Sequence, residues 1–521
     1  MSLYEWQKEC YELVENKNAI ISAPTNAGKT RVAYLWMKPA KAKEGEHRII
    51  YTVPIKALAN EKVDELIELY GKDLVGIETG DIKRRENAPI LVCTQEIYTL
   101  KYAHRLGSHR VVIDEFHYIF SDTQRSRAYI DGIRKANENH QFLILSATLS
   151  KPQKIKDYLE RNTGKEFVLY ETDFRPTKLT ITKEVFTPDS IPPNSLVYIF
   201  NTKSIDRFVK RLSASYPPLP MLKRRRIKLL ATNYRINTEK FPEVFHGIAR
   251  YHSKLTYTEK RFIERLVREG YIHTLIATNA LGVGVNLPFK WVLFGHLFIP
   301  NGAEEGKMIN KIDFVQLSGR AGRKGFFDEG FVGFLEQDFT YEGIRRNYKT
   351  YLELLEKEME EPVIRLELDV WAIVKGERTI EEEMEYVINF SEPKRDRLEV
   401  EEQAKEIREI LNSLSELERE FLKRFYQPEL SLRNNVYLAK HILSCREQKG
   451  LDEKGKAIRF KQIFLRSLLR DDDLSTLLLL RRIGRRLNRK KFNGALLVFP
   501  DLKDIEQEIK ERDPMLLEVG L

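Results

Sequence analysis

The segment NAIISAPTNAGKT at residues 18–30 decides the fold, because it places a short apolar run directly before a glycine-containing turn. An apolar run of this length predicts a strand that is buried on both faces of a parallel sheet. The letters GKT then predict the start of a helix, whose N-terminal N–H groups and partial positive charge favour a phosphate. The segment therefore predicts a nucleotide-binding domain of the α/β class.

Short apolar runs alternate with longer helical patterns on both sides of an extended link, ETDFRPTKL (171–179). Besides NAIISAP, the strands predicted before the link are RIIYTVP (48–54), PILVCT (89–94), RVVIDE (110–115) and FLILSAT (142–148). Those predicted after it are SLVYIF (195–200), HTLIAT (273–278), WVLFGHLF (291–298) and FVGFLE (331–336). The alternation predicts two tandem doubly wound α/β domains with parallel sheets.

Beyond about residue 345 the strand patterns mostly disappear and helical periodicity takes over. The domains predicted on this basis are 1–175 (first α/β), 176–345 (second α/β), 346–425 (helical connector) and 426–521 (helical accessory). A further strand is predicted at ALLVF (495–499). The stretch 212–247, rich in Pro, Lys and Arg, predicts an irregular surface excursion.

Composition restricts the class of protein. The chain of 521 residues has 87 Lys and Arg against 77 Asp and Glu, and this excess suits a polyanionic partner without proving one. The three cysteines lie far apart, with no zinc-ligand spacing. No apolar run approaches the ~20 residues of a membrane span, and the N-terminus lacks a signal-peptide pattern. We expect a cytoplasmic monomer that does not enter a membrane.

The stretch APTNAGKT (23–30) is the predicted phosphate-binding loop. Gly28 lets the backbone approach a phosphate, Lys29 is expected to reach the β- and γ-phosphates, and Thr30 offers its hydroxyl to Mg²⁺. The general pattern begins with Gly, whereas Ala23 holds that place here. The residues expected to contact ATP are Ala23, Pro24, Thr25, Asn26, Ala27, Gly28, Lys29 and Thr30.

Two further segments are predicted to complete an ATP site. DEFH (114–117) ends a strand, where Asp114 is suited to hold Mg²⁺ through water and Glu115 to deprotonate the attacking water. Adjacent acids at a strand end also occur as solvated turn residues, which is the alternative. QLSGRAGRKG (316–325) supplies Arg320 and Arg323, whose guanidinium groups match γ-phosphate oxygens. Because these arginines lie in the other α/β domain, we expect ATP at a domain interface whose closure drives motion.

With these segments the chain resembles a superfamily-two DExH helicase, most closely the superkiller-like branch of exosome-associated RNA helicases and archaeal DNA-repair helicases. The resemblance covers roughly residues 4–390. The other segments that carry it are VPIKALANEK (53–62), ETGD (78–81), CTQEIY (93–98), SAT (146–148), RPTKL (175–179), GIARYHSKL (247–255) and ATNALGVGVNLP (277–288).

The resemblance implies ATP and Mg²⁺ as cofactors and roles for further residues. Gln7 matches the position that reads adenine, and Gln316 matches the start of the arginine motif. Positions that meet both nucleotide and nucleic acid are Asn279, Gly282 and Gly284, and the coupling positions are His117, Ser146, Ala147 and Thr148. Positions in segments that hold the strand's sugar-phosphate backbone are Pro54, Lys56, Thr79, Gly80, Thr94, Gln95, Asn201 and Thr278. It also implies that the two α/β domains are of the RecA-like type and that movement is 3′→5′. After the arginine motif it implies a winged helix, which makes the connector at 346–425 winged-helix-like, and then a helical bundle.

The predicted function is an ATP-dependent helicase or translocase on single-stranded RNA or DNA with an adjoining duplex. One alternative is a translocase that remodels nucleoprotein complexes without unwinding, and another is a non-catalytic nucleic-acid-binding scaffold. A third is a nucleotide-driven machine without nucleic acid, which would give no reason for PIKALANEK and TQEIY. The choice of RNA or DNA stays open, because SGRAGRKG is more typical of RNA-processing members and GVNLP of DNA-repair members.

Weaker signals lie outside these motifs. LLLLRRIGRRLNRKK (477–491) predicts a helix with one apolar face, whose arginines either contact phosphates or are solvated. IPNGAEEGK (299–307) is either a strand-separating hairpin or an ordinary loop. KRRR (223–226) is predicted to be a solvated run, and His252 has a packing role or a ligand contact as equal alternatives.

Overall fold

A computed structural model describes residues 3–80, 82–120, 123–147, 149–252, 254–278, 287–301, 304–336, 341–427, 430–444, 457–459, 474–492, 495–499 and 502–512. They form two compact units. The first comprises Met1–Ser121 with Arg125–Pro362, and the second comprises Asp122–Gln124 with Val363–Leu521. Both α/β domains lie in the first unit.

The first domain is built on a sheet of eight strands. These are β1 (Ala19–Ser22), β2 (Arg48–Val53), β3 (Val75–Glu78), β4 (Lys83–Arg84), β5 (Ile90–Thr94), β6 (His109–Ile113), β7 (His140–Ser146) and β8 (Val168–Glu171). Their order is β4-β3-β5-β2-β6-β7-β1-β8, and every neighbouring pair is parallel except β3 with β4. The helices are α1 (Glu5–Val14), α2 (Lys29–Met37), α3 (Pro39–Lys43), α4 (Lys56–Tyr70), α5 (Gln95–Lys101), α6 (Thr123–Arg134) and α7 (Pro152–Thr163).

The second domain is built on a fully parallel sheet of six strands. These are β9 (Lys178–Phe186), β10 (Ser195–Tyr198), β11 (Ile248–Tyr251), β12 (Thr274–Ala277), β13 (Trp291–Phe294) and β16 (Glu329–Leu335), in the order β11-β12-β10-β13-β16-β9. An antiparallel ribbon of β14 (Phe298–Asn301) and β15 (Glu304–Met308) follows β13. The helices are α8 (Thr202–Ser215), α9 (Met221–Asn233), α10 (Tyr257–Arg268), α11 (Lys311–Ser318) and α12 (Tyr341–Glu356).

The predicted pair of parallel-sheet α/β domains is confirmed, and three details differ from expectation. Part of the supposed link is β9, which pairs with β16 at the sheet edge. The stretch predicted as irregular contains α9, because Ile227 and Ala231 are buried on one face of that helix. The boundary predicted at 345 falls inside α12, whose Tyr351 and Leu354 pack into the core of the second domain. Of the two alternatives predicted for 299–307, a hairpin or an ordinary loop, the structure has the antiparallel β14–β15 ribbon.

The second unit is mainly helical, as predicted. Its helices are α13 (Val370–Lys375), α14 (Ile380–Phe390), α15 (Arg397–Asn412), α16 (Glu416–Phe425), α17 (Leu432–Ser444), α18 (Leu474–Leu487) and α19 (Leu502–Arg512). A small sheet has the order β17 (Ala457–Arg459), β19 (Ala495–Val498), β18 (Lys491–Phe492). The boundary predicted at 425/426 divides one hydrophobic core, because Phe421 of α16 packs with Leu438 of α17 and Leu480 of α18.

The apolar face predicted for residues 477–491 is confirmed, since Leu480, Ile483 and Leu487 are fully buried in that core. Among the described residues, no helix has both the length and the apolar character that crossing a membrane would require.

Candidate nucleotide-binding site

The phosphate-binding loop joins β1 to α2 and is held from behind by Gln7. The Gln7 side chain accepts from the backbone N–H of Tyr4 at 2.9 Å and donates to the carbonyl of Gly28 at 3.0 Å. Gly28 has φ +99°, and a Cβ there would lie 2.6 Å from the Gln7 amide nitrogen. A glycine is therefore required at this position, both for its backbone conformation and for space. Gln7 lies against the loop, and its predicted contact with adenine stays a prediction.

Lys29 starts α2 and points back into the loop. Its ammonium donates to the carbonyl oxygens of Ala23 at 2.7 Å and Pro24 at 3.1 Å. Burial lowers the pKa of Lys29, while the carboxylates of Glu115 and Asp114 oppose that effect. The buried Lys29 ammonium thus has two neutral acceptors. Negatively charged phosphate oxygens in place of these carbonyls would stabilise it further by electrostatic attraction.

Asp114 follows β6 and is fixed by three hydrogen bonds. Its N–H donates to the Thr52 carbonyl at 3.0 Å, and its carboxylate accepts from the Tyr51 hydroxyl at 2.6 Å. The other carboxylate oxygen accepts from the N–H of Glu115 at 2.9 Å. Burial and the charge of Glu115 raise the pKa of Asp114, so a cation in front of it would lower the free energy of the ionised form. Tyr51 was not predicted, because it lies within an apolar strand run.

Glu115 has an unusual backbone and a partly open side chain. Its φ is +50°, a left-handed conformation that costs a residue other than glycine about 1 kcal/mol or more. The side chain is 35% exposed, in contrast to the buried strand before it. Such local strain is typical of functional sites, and it directs the second carboxylate away from the fixed position of the first.

His117 lies between the two domains as a neutral base. Burial lowers the pKa of His117 to about 3, and the positive charges of Lys29 and Arg320 act in the same direction. Its Nδ1 is 3.4 Å from a Glu115 carboxylate oxygen, but the neutral ring makes no ion pair there. Within the described part of the chain this buried Nδ1 has no hydrogen-bond partner. Its predicted coupling role stays a prediction.

The SAT segment touches the phosphate-binding loop through its backbone. Ala23 N–H donates to the Ser146 carbonyl at 3.3 Å, and Ala147 lines a small cavity together with Thr25 and Gln316. The Ser146 hydroxyl is buried and makes no hydrogen bond to a described residue. Thr148 lies outside the described residues.

The arginine motif of the second domain meets the phosphate-binding loop directly. Asn26 Nδ2 donates to the Gly319 carbonyl at 3.1 Å, and a Cβ on Gly319 would lie 3.1 Å from the Cβ of Thr25. Arg175, in the link between the domains, donates to the carbonyls of Gly319 at 3.4 Å and Ala321 at 3.3 Å. Arg175 was not singled out in advance, although it lies in the quoted segment RPTKL.

The two arginines differ in their surroundings. Burial lowers the pKa of His117, and the charge of Arg320 acts in the same direction. Burial raises the pKa of Tyr118 to about 12, and the charge of Arg320 opposes that shift. The Arg320 guanidinium therefore lies on the side of the DEFH segment. The Arg323 guanidinium carbon is 5.3 Å from the centre of the Phe326 ring, within the same segment. Burial, followed by the charge of Arg268, lowers the pKa of Arg323. Arg320 is therefore the arginine whose charge acts on the DEFH segment, and its predicted contact with a phosphate stays a prediction.

The arginine motif is anchored to the second sheet through two glycines. Gly322 has φ +71°, and a Cβ there would lie 2.7 Å from the backbone nitrogen of Gly330 in β16. Gly322 N–H donates to the Phe289 carbonyl at 3.0 Å, and the Thr177 hydroxyl donates to the Gly322 carbonyl. The backbone that carries both arginines is thus packed against the sheet without intervening side chains.

The residues expected to hold a strand fall into two groups. In the first, Lys56 and Gly80 lie together, since a Cβ on Gly80 would be 3.4 Å from the Lys56 ammonium. The Pro54 carbonyl accepts from Arg125 at 3.0 Å. Thr79 closes a turn by accepting from the N–H of Ile82 at 3.2 Å. These residues form one edge of the first domain.

In the second group, Gln95 and Asn201 use their side chains in internal hydrogen bonds, and the predicted contact of this group with a strand stays a prediction. Gln95 is only 1% exposed, accepts from the Thr52 hydroxyl at 2.7 Å and donates to the Ala128 carbonyl at 3.3 Å. Asn201 caps α8 by accepting from the N–H of Ser204 at 3.1 Å. These two side chains position their segments, which leaves backbone groups for a strand. The other buried members of the group are Thr94 and Thr278.

Three predicted residues, Asn279, Gly282 and Gly284, lie outside the described residues. Gln316 lines the small cavity between the domains with Pro24 and Gly319, beside the phosphate-binding loop. His252 is buried, and burial lowers its pKa to about 4, which fits packing better than a charged contact.

Comparison with known proteins identifies two domains. Residues 4–156 match the DEAD/DEAH box helicase family, and residues 222–325 match the helicase conserved C-terminal domain. The chain is 27% identical over 414 residues to the DExH-box ATP-dependent RNA helicase DExH9 of Arabidopsis thaliana, covering 63% of this chain and 41% of that protein. It is 28% identical over 405 residues to the ATP-dependent RNA helicase mtr4 of Schizosaccharomyces pombe, covering 62% of this chain and 35% of that one.

A solved structure shows the same fold. The DUF1998 helicase MrfA bound to DNA superposes with a TM-score of 0.52 at 19% sequence identity, covering 72% of this chain and 54% of that chain. The chain spans about two fifths or less of the length of the two curated relatives described above.

Proposed function

This chain belongs to the superfamily-two DExH helicases, and on that premise we propose that it is an ATP-dependent translocase on single-stranded nucleic acid. The observation that carries the proposal is the contact between the phosphate-binding loop and the arginine motif, through Asn26 and Gly319. A triphosphate on Lys29 would then lie next to the segment that supplies Arg320. Nucleotide binding and release would thereby alter the contact between two domains that both contribute strand-binding segments.

The residues present fit a magnesium ion held jointly by protein and nucleotide. Asp114 is a buried carboxylate at the end of a strand, and Thr30 follows Lys29 at the start of α2. Within the described residues no group of three or more His, Cys, Asp or Glu is placed to hold a metal alone. That suits Mg²⁺, which is commonly bound by one or two protein groups plus phosphates and water. When bound, the ion would neutralise charge that develops on the phosphates.

In the proposed reaction Glu115 accepts a proton from the attacking water, and Arg320 stabilises the charge on the transferred phosphoryl group. The partly open carboxylate of Glu115 supports this assignment, whereas Asp114 is held by Tyr51. Arg323 remains a second candidate for the phosphates and requires its guanidinium to leave the Phe326 ring.

The test of this function is Glu115→Gln, compared with Glu44→Gln, an exposed residue of the same domain. The first variant should bind a fluorescent ATP analogue normally but lose strand-stimulated hydrolysis by about 10²-fold or more, since a positioned base is worth that much. The control should keep wild-type turnover. Substantial strand-stimulated hydrolysis by Glu115→Gln would reject Glu115 as the base.

The strand itself is proposed to be held through its backbone. If about five phosphates of a single strand are contacted, the logarithm of the affinity should fall with the logarithm of the salt concentration at a slope of roughly −3 to −4. ATPase stimulation by single-stranded RNA and DNA of one sequence decides which is preferred. The relatives named above are RNA helicases, while the solved structure contains DNA.

We also propose that the β14–β15 ribbon separates strands, because it is an antiparallel pair that follows β13 and is not part of the parallel sheet. An assay of duplex unwinding, measured in parallel with an assay of displacement of a bound protein, distinguishes a helicase from a remodelling translocase. Duplexes with a 3′ or a 5′ single-stranded tail test the predicted direction. A monomer in the cytoplasm stays a prediction.

A further inference from the structure

Residues 357–362 connect the end of α12 to the second unit, which begins at Val363. They form no helix or strand. Three consecutive residues of this connector, Met359, Glu360 and Glu361, lie against segments of both α/β domains. The connector (residues 357–362) is thereby placed where it can hold the two domains in one arrangement.

Glu360 binds the start of the helix that leads into the arginine motif. Both of its carboxylate oxygens accept from the backbone N–H of Lys311, the first residue of α11, at 3.1 Å. The Glu360 side chain is 30% exposed and also accepts from the Lys357 ammonium at 2.6 Å. Burial raises the pKa of Glu360, but these hydrogen bonds outweigh that effect and lower it below its usual value. The ionised carboxylate therefore caps α11, where unpaired N–H groups favour a negative charge.

The side chain of Lys311 ties the same helix to the end of α12. Its ammonium donates to the carbonyl oxygen of Leu354 and, at 3.2 Å, to that of Leu355. Both carbonyls belong to the last turn of α12, where a helix has no partners of its own for them. The start of α11, the end of α12 and the Glu360 side chain are thus held together on the side of the second domain.

The backbone of Glu360 also reaches the first domain. Its carbonyl oxygen accepts a hydrogen bond from the hydroxyl of Ser150, two residues beyond the SAT segment. The N–H of the neighbouring Leu149 donates to the Ser22 hydroxyl at 3.0 Å, and Ser22 ends the strand that leads into the phosphate-binding loop. One glutamate thus joins the segment that precedes the arginine motif to the segment that precedes the phosphate-binding loop.

Glu361 adds an ionic contact with the first domain. Its carboxylate pairs with the ammonium group of Lys151 and, at 3.2 Å, with that of Lys154, at the start of α7. The Glu361 side chain is 57% exposed, so salt screens this contact and its loss alone would have a small effect. Reversal of the charge is a sharper probe, because two cations would repel a lysine at this position.

Met359 lies directly before these two glutamates and lines the small cavity between the domains. On the opposite walls of that cavity are Thr25 of the phosphate-binding loop and Gln316 of the arginine motif. A methionine side chain is unbranched and flexible, so it can fill this gap as the distance between the two walls changes. The connector therefore follows the space beside the phosphate-binding loop.

We propose that Glu360 and Glu361 are positioning residues for ATP hydrolysis, which hold the arginine motif beside the phosphate-binding loop without contacting the nucleotide. The inference rests on the proposed function and adds two residues to the same site. Glu360 fixes the helix that leads to Arg320, and Glu361 keeps the connector on the first domain. Without these contacts α11 can withdraw from the loop, so the groups that stabilise phosphoryl transfer are in place for less of the time.

The test measures, with the full chain, strand-stimulated kcat and the affinity for a fluorescent ATP analogue without a strand. Glu360→Gln should lower kcat by about three- to tenfold, because the amide keeps one acceptor for α11 but loses the charge. The affinity should not change, because the phosphate-binding loop belongs to the first domain. Glu358→Gln is the matched control, since Glu358 is an exposed glutamate of the connector that forms no ion pair with a described residue.

A charge-reversal cycle tests Glu361 and distinguishes positioning from a general loss of stability. Glu361→Lys should lower kcat by about threefold or more, and Lys154→Glu in the same chain should restore most of that loss, as expected for residues in direct contact. Glu358→Lys should keep the wild-type kcat. A destabilised fold would not be repaired by a second change of charge at one particular lysine.

The inference is overturned if either Glu360→Gln or Glu361→Lys matches its Glu358 control in kcat, or if Lys154→Glu restores nothing. A loss of nucleotide affinity with an unchanged kcat also overturns it, because the glutamates would then act on binding. Failure of the proposed function gives a different result, in which the wild-type chain itself shows no strand-stimulated hydrolysis and the inference falls with it. Wild-type hydrolysis with unaffected variants rejects the inference alone.

Discussion

Asn26 of the phosphate-binding loop donates a hydrogen bond of 3.1 Å to the carbonyl oxygen of Gly319 in the arginine motif. The two residues are 293 positions apart in the chain and belong to different α/β domains. A ligand that moves the loop therefore acts on the arginine motif through one identifiable bond.

Replacing Asn26 by glycine should weaken communication between the two domains. Asn26 has φ +67°, which glycine adopts without strain, so the substitution removes the donor and leaves the loop conformation accessible. A net hydrogen bond of about 0.5–1.5 kcal/mol predicts a fall of roughly 2- to 10-fold in strand-stimulated kcat/KM for ATP. Asn194→Gly is the matched control, because that asparagine also has a positive φ, +61°, at the start of β10. Equal rates for the two variants would show that the bond has no part in coupling.

Arg320 should matter more for turnover than Arg323. Arg320 lies on the side of His117, whereas Arg323 lies over Phe326. Loss of an arginine that stabilises phosphoryl transfer costs about 10³-fold or more in rate. We expect that loss for Arg320→Gln in single-turnover hydrolysis, with a smaller loss for Arg323→Gln and none for the exposed Arg211→Gln. The reverse order of the first two would assign the phosphate contact to Arg323.

Glu61 should make the stability of the first unit depend on pH near neutrality. Burial, followed by the charge of Glu264, raises the pKa of Glu61 to about 7, although Arg268, Arg261 and Arg320 oppose the shift. The pKa of Glu61 is higher in the folded than in the unfolded protein. Its contribution to the free energy of unfolding is therefore greatest below about pH 4.5 and is lost as the pH rises through 7.

The measurement is the melting temperature of Glu61→Gln relative to wild type. The difference should favour the variant more at pH 8 than at pH 5.5, because the variant has no charge to desolvate. Glu68→Gln, an exposed position on the same helix, should show a difference that is constant with pH. A constant difference for Glu61→Gln as well would contradict the assignment.

His109 and His140 should produce acid sensitivity in the first domain. Their rings are 4.2 Å apart, and burial lowers the pKa of His109 to about 3 and that of His140 to about 4. As the pH falls, the unfolded chain therefore takes up these protons before the folded protein does. The free energy of unfolding is highest above about pH 6.5 and decreases as the pH falls toward 4. His109→Phe keeps an aromatic ring and should reduce the slope of the unfolding free energy between pH 6.5 and 4.5. The exposed His104→Phe should leave that slope unchanged, and identical slopes for both variants would contradict the prediction.

The motifs made most of the fold predictable, because apolar strand runs next to phosphate-binding and acidic signals have few structural alternatives. The strand before Asp114 and the helix from Lys29 both lie where the sequence placed them. Prediction failed where local composition opposed the tertiary structure. Strand β9 starts shortly after a proline and pairs at the sheet edge with the distant strand β16, and α9 is a basic helix held by a few buried residues.

Contacts between distant segments were the least predictable part of the site. The sequence around Asn26 does not indicate that its side-chain amide donates to the Gly319 carbonyl. The sequence around Gln95 does not indicate that its amide oxygen accepts a hydrogen bond from the Thr52 hydroxyl. Tyr51 bonds Asp114 from within an apolar strand, where a hydroxyl gives no periodic signal. Such pairs form only when the fold brings together segments that are far apart in sequence.

The glycine-to-glycine approach of residues 322 and 330 has a mechanical consequence. Because neither residue has a side chain, the backbone of the turn that bears the arginines packs directly against strand β16. The turn therefore has almost no room to tilt against that strand. If Arg320 and Arg323 contact the phosphates as proposed, their withdrawal after hydrolysis would require the second domain to move as one body. An alanine at either glycine is then expected to reduce the movement obtained from each hydrolysis.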